Sequence, residues 1–149
     1  MKSNLCDLRE DKEYSQEEIA PFFNVTQQNY SRWETGEMLP PLFHLNTLAN
    51  VLDSSIDYIM ELTNTNMPTN KVEKINPVLV GKRITEIRLD NKLSMRGLAK
   101  ILNTSHSTIS NYEHGKNLII ISFAYELAKK YNISLDWLCG RSENKYIKK

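Results

Sequence analysis

The chain is poor in the residues that reactive sites are usually built from. It has two cysteines, three histidines and five glycines among 149 residues. Cys6 and Cys139 have no metal-ligand spacing, so both are expected as free buried thiols in a reducing cytoplasm. His44, His106 and His114 stand apart from any carboxylate or cysteine cluster, which argues against a metal centre. No glycine-rich loop is present to cradle a phosphate, and no nucleophile stands beside a base. The longest apolar run is Leu118–Ile121, far below the ~20 residues a membrane helix needs. The opening MKSNLCDLREDKE lacks a signal-peptide core. These absences lead us to expect a cytoplasmic protein that is not an enzyme, with no cofactor, membrane partner or small-molecule substrate.

What the chain does have is a repeat. Residues 25–36 read VTQQNYSRWETG, and residues 104–115 read TSHSTISNYEHG. Residue n aligns with residue n+79 without a gap from Leu8/Ile87 to Glu61/Gly140, and 13 of those 54 positions are identical. Apolar positions also match in kind, as in Phe23/Leu102, Tyr30/Ile109 and Trp33/Tyr112. Two copies of one small domain follow, expected at 1–62 and 78–142. Between them, residues 63–77 (TNTNMPTNKVEKINP) have the composition of a linker. Residues 143–149 read as a basic tail.

Within each copy the apolar residues recur at three and four positions, and nothing alternates as a strand would. The expected fold is all-α, with five short helices per copy. Leu5 and Leu8 mark a first helix. Ser15 with Glu18 forms a capping box that opens a second, and Asn24 ends it. Thr26 caps a third helix that Gly36 stops. Leu45, Leu48, Ala49 and Leu52 mark a fourth, Ile56 and Ile59 a fifth. Ser94, Asn103, Ser105 and Gly115 punctuate the second copy in the same way. Helix, tight turn, helix is the geometry of a helix-turn-helix. With Tyr30 and Trp33 facing inward, Gln27, Gln28 and Arg32 face outward with Asn29 beside them. Amides and a guanidinium on such a face suit base edges. His106, Ser107, Thr108 and Asn111 hold the corresponding places.

Both copies resemble the Cro/phage-repressor type of helix-turn-helix domain, also called the xenobiotic-response-element family. The motifs that carry the resemblance are YSQEEIA…NVTQQNYSRWETG in the first copy and LSMRGLA…NTSHSTISNYEHG in the second. The resemblance implies sequence-specific binding of double-stranded DNA by a transcriptional regulator; repression is expected over activation because occupying an operator needs no additional polymerase-contacting surface. It also implies that Gln16 holds a backbone phosphate, and that Arg9–Glu34 and Arg88–Glu113 are internal salt bridges. The copies depart from the pattern in places. Pro21 falls where a helix interior is expected, and Met95 and Gly97 replace the counterparts of Gln16 and Glu18.

Charge divides the copies. Residues 1–66 carry four Lys/Arg against eleven Asp/Glu, a net −7, and residues 67–149 carry fifteen against seven, a net +8. Phosphate neutralisation dominates DNA affinity. Lys82, Arg83, Lys92, Arg96, Lys100 and Lys116 are therefore the expected phosphate ligands. The acidic copy would add specificity, pair with a second copy of the chain, or bind a protein. The alternative function is a protein-interaction module of antitoxin or anti-repressor type with a degenerate first domain. The Leu118–Ile121 run is read as core, with a place between the domains as the alternative.

Overall fold

The computed structural model describes residues 3–147. Ten α-helices and one 3-10 segment make up these residues, with no strand beyond an isolated bridge between Ile133 and Tyr146. The first domain contains α1 (Asn4–Asp11), α2 (Gln16–Ile19), α3 (Gln27–Thr35), α4 (Leu42–Leu52) and α5 (Ile56–Ile59). The second contains α6 (Pro77–Asp90), α7 (Met95–Ile101), α8 (His106–Glu113), α9 (Ile121–Tyr131) and α10 (Leu135–Leu138). The protein is thus all-α, with two tandem helix-turn-helix domains.

Local chemistry sets the element boundaries. Ser15 accepts from the Glu18 amide while the Glu18 carboxylate accepts from the Ser15 amide, closing the capping box. Pro21 lies in no α-helix interior, contrary to the sequence expectation. The chain tightens at Ala20 into a 3-10 turn, Ala20–Phe23, and Pro21 sits in its first turn, where its missing N–H costs no bond. Asn24 then turns left-handed at φ 57°, as Asn103 does at 56° in the second domain.

The two cores differ in material. In the first domain Phe23 packs against Tyr30 and Trp33 with ring centroids 6.2 and 5.8 Å apart, and His44 stands beside them. Leu102, Ile109 and Tyr112 take the three aromatic places in the second domain.

The domains join through a reciprocal exchange of helix caps. The Asp136 carboxylate accepts from the amides of Ile56 (2.8 Å) and Asp57 (2.9 Å) at the start of α5. In return, the Asp57 carboxylate accepts from the Leu135 amide (2.7 Å) and the Ser134 hydroxyl (2.5 Å) at the start of α10. Asp57 and Asp136 are repeat equivalents, so residue i touches j and j touches i, the signature of an approximate two-fold axis. Repeat-equivalent residues, Pro41/Ile120 and Leu42/Ile121, also face one hollow. Pro41–Phe43 and Leu118–Ile121 line this apolar hollow between the domains. In the Leu118–Ile121 run Ile119 is buried, whereas Ile120 is 50% exposed. Ile119 is therefore core, as expected for the run, while Ile120 lines the hollow between the domains.

The stretch between the domains is hydrogen-bonded into the fold. Arg141, 1% exposed, donates through Nη1 to the side-chain oxygens of Asn46 (2.7 Å) and Asn50 (2.6 Å), and through Nη2 to Thr69 (3.3 Å). Its Nε lies 3.4 Å from the Asp136 carboxylate. Asn46 and Asn50 each donate to the Val72 carbonyl at 2.7 Å. The C-terminal segment also packs back rather than trailing away. The Ser134 amide donates to the Lys145 carbonyl and the Ile147 amide to that of Asn132. Lys148 and Lys149 lie outside the described residues. Neither cysteine is bonded to the other; Cys139 is buried, but Cys6 is half-buried, so the expectation of two buried thiols holds only for Cys139.

Candidate nucleic-acid interface

Helices α3 and α8 are held by the same internal brace. In the first domain Arg9 Nε donates to Glu34 at 2.6 Å, Nη2 to the other carboxylate oxygen at 3.2 Å, and Nη1 to the Tyr14 carbonyl at 2.7 Å. In the second domain Arg88 makes the matching bonds to Glu113 at 2.7 and 3.1 Å and to the Leu93 carbonyl at 2.9 Å. A bidentate pair with a third backbone bond locks the first helix of each domain to the C-terminal half of its third. Burial alone would raise the Glu34 carboxyl, but hydrogen bonds from Arg9 and Gln16 bring it below its ordinary value.

With Tyr30, Trp33 and Glu34 buried, the outer face of α3 is left to Gln27, Gln28 and Arg32, all exposed, and half-buried Asn29. Thr26 caps the helix through the Asn29 amide. Arg32 reaches back to the Asn29 side-chain oxygen (3.3 Å) and lies 3.8 Å from exposed Glu37. Both are weak solvent-facing contacts that a stronger acceptor can replace. On α8, His106 and Ser107 are exposed, whereas Thr108 and Asn111 are half-buried. The Thr108 hydroxyl is bonded to that of Ser105 at 2.9 Å, so it is committed to the helix cap.

The cations divide similarly. Lys82, Lys92, Arg96, Lys100 and Lys116 are exposed. Arg83 is not a free phosphate ligand. Its guanidinium stacks 4.8 Å over Trp137, donates to the Trp137 and Ser142 carbonyls, and its side chain is 13% exposed. Gln16 is half-buried and donates one of its two amide hydrogens to Glu34 at 3.1 Å, which leaves the other for a phosphate. Sequence reasoning missed the Asp57–Asp136 junction. The two aspartates are identical in the repeat, but only the fold shows that they meet. Burial, then the neighbouring Asp136 carboxylate, pushes Asp57 up to about 7. Among the described residues, no group of three or more His, Cys, Asp and Glu could hold a metal ion. No described helix is long and apolar enough to cross a membrane.

Comparison with known proteins matches this geometry to a family. The profile of the HTH_3 helix-turn-helix family fits twice, at residues 7–59 and 84–138. The chain belongs to this helix-turn-helix family. Its relatives include the SPbeta prophage-derived uncharacterized HTH-type transcriptional regulator YonR of Bacillus subtilis (strain 168), 33% identical over 68 residues. That match covers 46% of this chain and 63% of the relative. The uncharacterized HTH-type transcriptional regulator YobD of the same organism is 35% identical over 72 residues, 48% of this chain and 62% of the relative. The chain thus spans under two thirds of the length of each relative. Both are named as transcriptional regulators rather than enzymes. No solved structure matches.

Proposed function

We propose that this helix-turn-helix protein is a sequence-specific DNA-binding transcriptional regulator that acts as a repressor. In this reading α3 and α8 enter successive major grooves of one duplex. The observation that carries it is the reciprocal junction. Asp57 and Asp136 tie two family domains into one body with approximate two-fold symmetry, so a single chain has the arrangement other repressors reach by dimerising. Gln27, Gln28, Arg32, His106, Ser107 and Asn111 are the base readers, with Asn29 and Thr108 in support. Lys82, Lys92, Arg96, Lys100 and Lys116 hold phosphates.

Selection from random duplex DNA at near-physiological salt, using the full chain, tests this. The expected motif has two unlike half-sites with centres about 10 base pairs apart, one per domain. Enrichment of a single short site would restrict DNA reading to one domain, and no enrichment would reject the reading.

A second reading is favoured by the net −7 of residues 1–66, which duplex DNA repels. In it the first domain binds a protein partner or a second copy of the chain. The complementary finding would be a site read by the second domain alone.

A further inference from the structure

The two hydrogen-bonded bridges between the domains are built on different principles. The exchange of helix caps is made by repeat equivalents, Asp57 with Asp136. The second bridge has no such symmetry. Arg141 follows α10, and its buried guanidinium donates to Asn46 and Asn50 on α4 and to Thr69 in the stretch between the domains. The Arg141 carbonyl accepts from the Asn70 amide at 3.0 Å, and Asn46 and Asn50 both donate to the Val72 carbonyl. One side chain thus ties the second domain to the longest helix of the first and to the segment that joins them.

The duplication shows that the domain fold does not itself require this arginine. Leu62 holds the equivalent place in the first domain, and Tyr125 and Lys129 hold the places of Asn46 and Asn50 in the second. The backbone is the same in both copies. The Leu62 amide donates to the Asp57 carbonyl at 2.9 Å, and the Arg141 amide to the Asp136 carbonyl at 2.8 Å. Only the side chain differs. Burying a guanidinium is costly, and an apolar side chain commonly serves stability as well or better; the best-attested return for such a charge is a unique register between packed elements. The geometry supplies that register. The cap exchange holds the first domain only at the start of α5, and the apolar hollow between the domains adds contact without directional bonds. An attachment at one helix end leaves a hinge, and the Arg141 bonds to α4 are a second attachment that removes it.

We propose that Arg141 is a positioning residue for DNA recognition. Its bonds to Asn46, Asn50 and Thr69 hold α3 and α8 at one separation and one angle, and so set the spacing of the two half-sites that the chain accepts. The proposal rests on the reading of the protein as a tandem DNA-binding regulator. One base pair more or fewer moves a half-site about 3.4 Å along the duplex and turns it about 35° around the axis. A rigid pair of readers cannot follow both changes.

The test uses the operator selected by the full chain, rebuilt with one or two base pairs added or removed between its half-sites. Wild-type affinity should fall about tenfold or more for one base pair, because one domain loses its base contacts, whereas Arg141→Leu should lose about threefold or less. A readout without DNA accompanies it. Spin labels are placed at the equivalent exposed positions with Glu37→Cys and Lys116→Cys, in a chain carrying Cys6→Ser. Their distance distribution should be single and narrow with Arg141 present and broad with Arg141→Leu. Asn50→Ala removes one acceptor of Arg141 and one bond to Val72, so it should shift both readouts the same way by less. It decides the matter if Arg141→Leu does not unfold cooperatively. A spacing profile as sharp in both variants as in wild type overturns the proposal, because the caps or the duplex then set the spacing. If the full chain selects no two-part operator, the regulator reading fails and the operator role of Arg141 falls with it. The labels separate the two failures, since an unchanged distance distribution in the variants rejects the clamp whatever the DNA shows.

Discussion

The two domains share a brace and differ in almost everything built around it. Arg9–Glu34 and Arg88–Glu113 have nearly superposable bond lengths, and both third helices open on a hydroxyl cap, Thr26 or Ser105. The first domain surrounds that frame with aromatic rings and acidic surface. The second uses mainly aliphatic side chains and basic surface, and the first turn of α6 packs against Gly115 and Gly140. What is identical in sequence between the copies is therefore concentrated where the fold needs a particular bond. What differs includes the core filling, as in Tyr30/Ile109, and the charge of the surface. The largest test of this division is to remove the brace from one domain at a time. Arg9→Ala and Arg88→Ala each strand a buried carboxylate, with an expected loss of about 3–5 kcal/mol by urea denaturation. If the frame is shared as the geometry indicates, the two losses will agree more closely than any other pair of equivalent substitutions.

The junction comes next in size. Asp136→Ala leaves the Ile56 and Asp57 amides without acceptors and Arg141 without its ionic neighbour, an expected cost of about 2–4 kcal/mol. The junction also has a pH signature. Asp57 rises on folding from its ordinary 3.8 to about 7, so within that interval the folded chain holds a proton the unfolded chain releases. This contribution to stability is complete below about pH 4 and is lost as pH rises through about 7. Glu34, held below its ordinary value, works in the opposite sense, and its contribution is lost as pH falls. Denaturation midpoints measured from pH 4 to 8 should show the Asp57 decline, and Asp57→Asn should flatten it. A wild-type midpoint that only rises across this range would contradict a raised Asp57 carboxyl at the junction.

Much of this frame was legible in the sequence, because helix ends are local. Ser15, Thr26, Gly36, Ser94 and Ser105 announce their roles through neighbours three residues away. The 79-residue offset did the rest, since a repeat of that length fixes the domain organisation before any packing is known. The junction was not legible. Ser55-x-Asp57 and Ser134-x-Asp136 look like two ordinary helix starts, and nothing local indicates that each aspartate crosses to cap the other helix. Arg83 was misread for a related reason. A cation on an amphipathic helix looks solvated until Trp137, 54 residues later, is placed beneath it. Pro21 was misread because the 3-10 turn that accommodates it cannot be told from an α-helix by periodicity alone. The base-reading face lay between these extremes. Periodicity gave its direction, but only the structure showed that Thr108 is tied to Ser105 and Gln16 to Glu34.

The DNA-facing comparison is expected to be smaller in energy and clearer in kind. Gln28→Ala in the first domain and Asn111→Ala in the second should each cost about 1–3 kcal/mol on a selected operator, relaxing specificity only within the mutated half-site. Lys100→Ala should weaken all duplexes alike and lower the salt slope of binding by about 0.9 if that lysine holds a phosphate. Equal losses from Gln28→Ala on every sequence would make that residue a backbone contact rather than a reader.

The smallest prediction asks whether a single difference between the copies can be reversed. Glu18 and Gly97 are repeat equivalents at the third position of their helices. The first domain therefore has a complete capping box, whereas Ser94 caps the Gly97 amide without any bond in return. A Cβ at position 97 would lie 3.3 Å from Ser94 Oγ and 3.5 Å from Leu93 Cδ2, tight but against side-chain atoms, and the φ there is not left-handed. Gly97→Glu should thus add the missing half of the box and remove the helix-weakening glycine. The expected gain is about 0.5–1 kcal/mol in urea denaturation. Gly97→Ala separates the two causes, because it removes the glycine without supplying the carboxylate. If both variants gain equally, backbone entropy is the whole difference between the two second helices. If only the glutamate gains, the reciprocal bond to the Ser94 amide is what the first domain has and the second lacks.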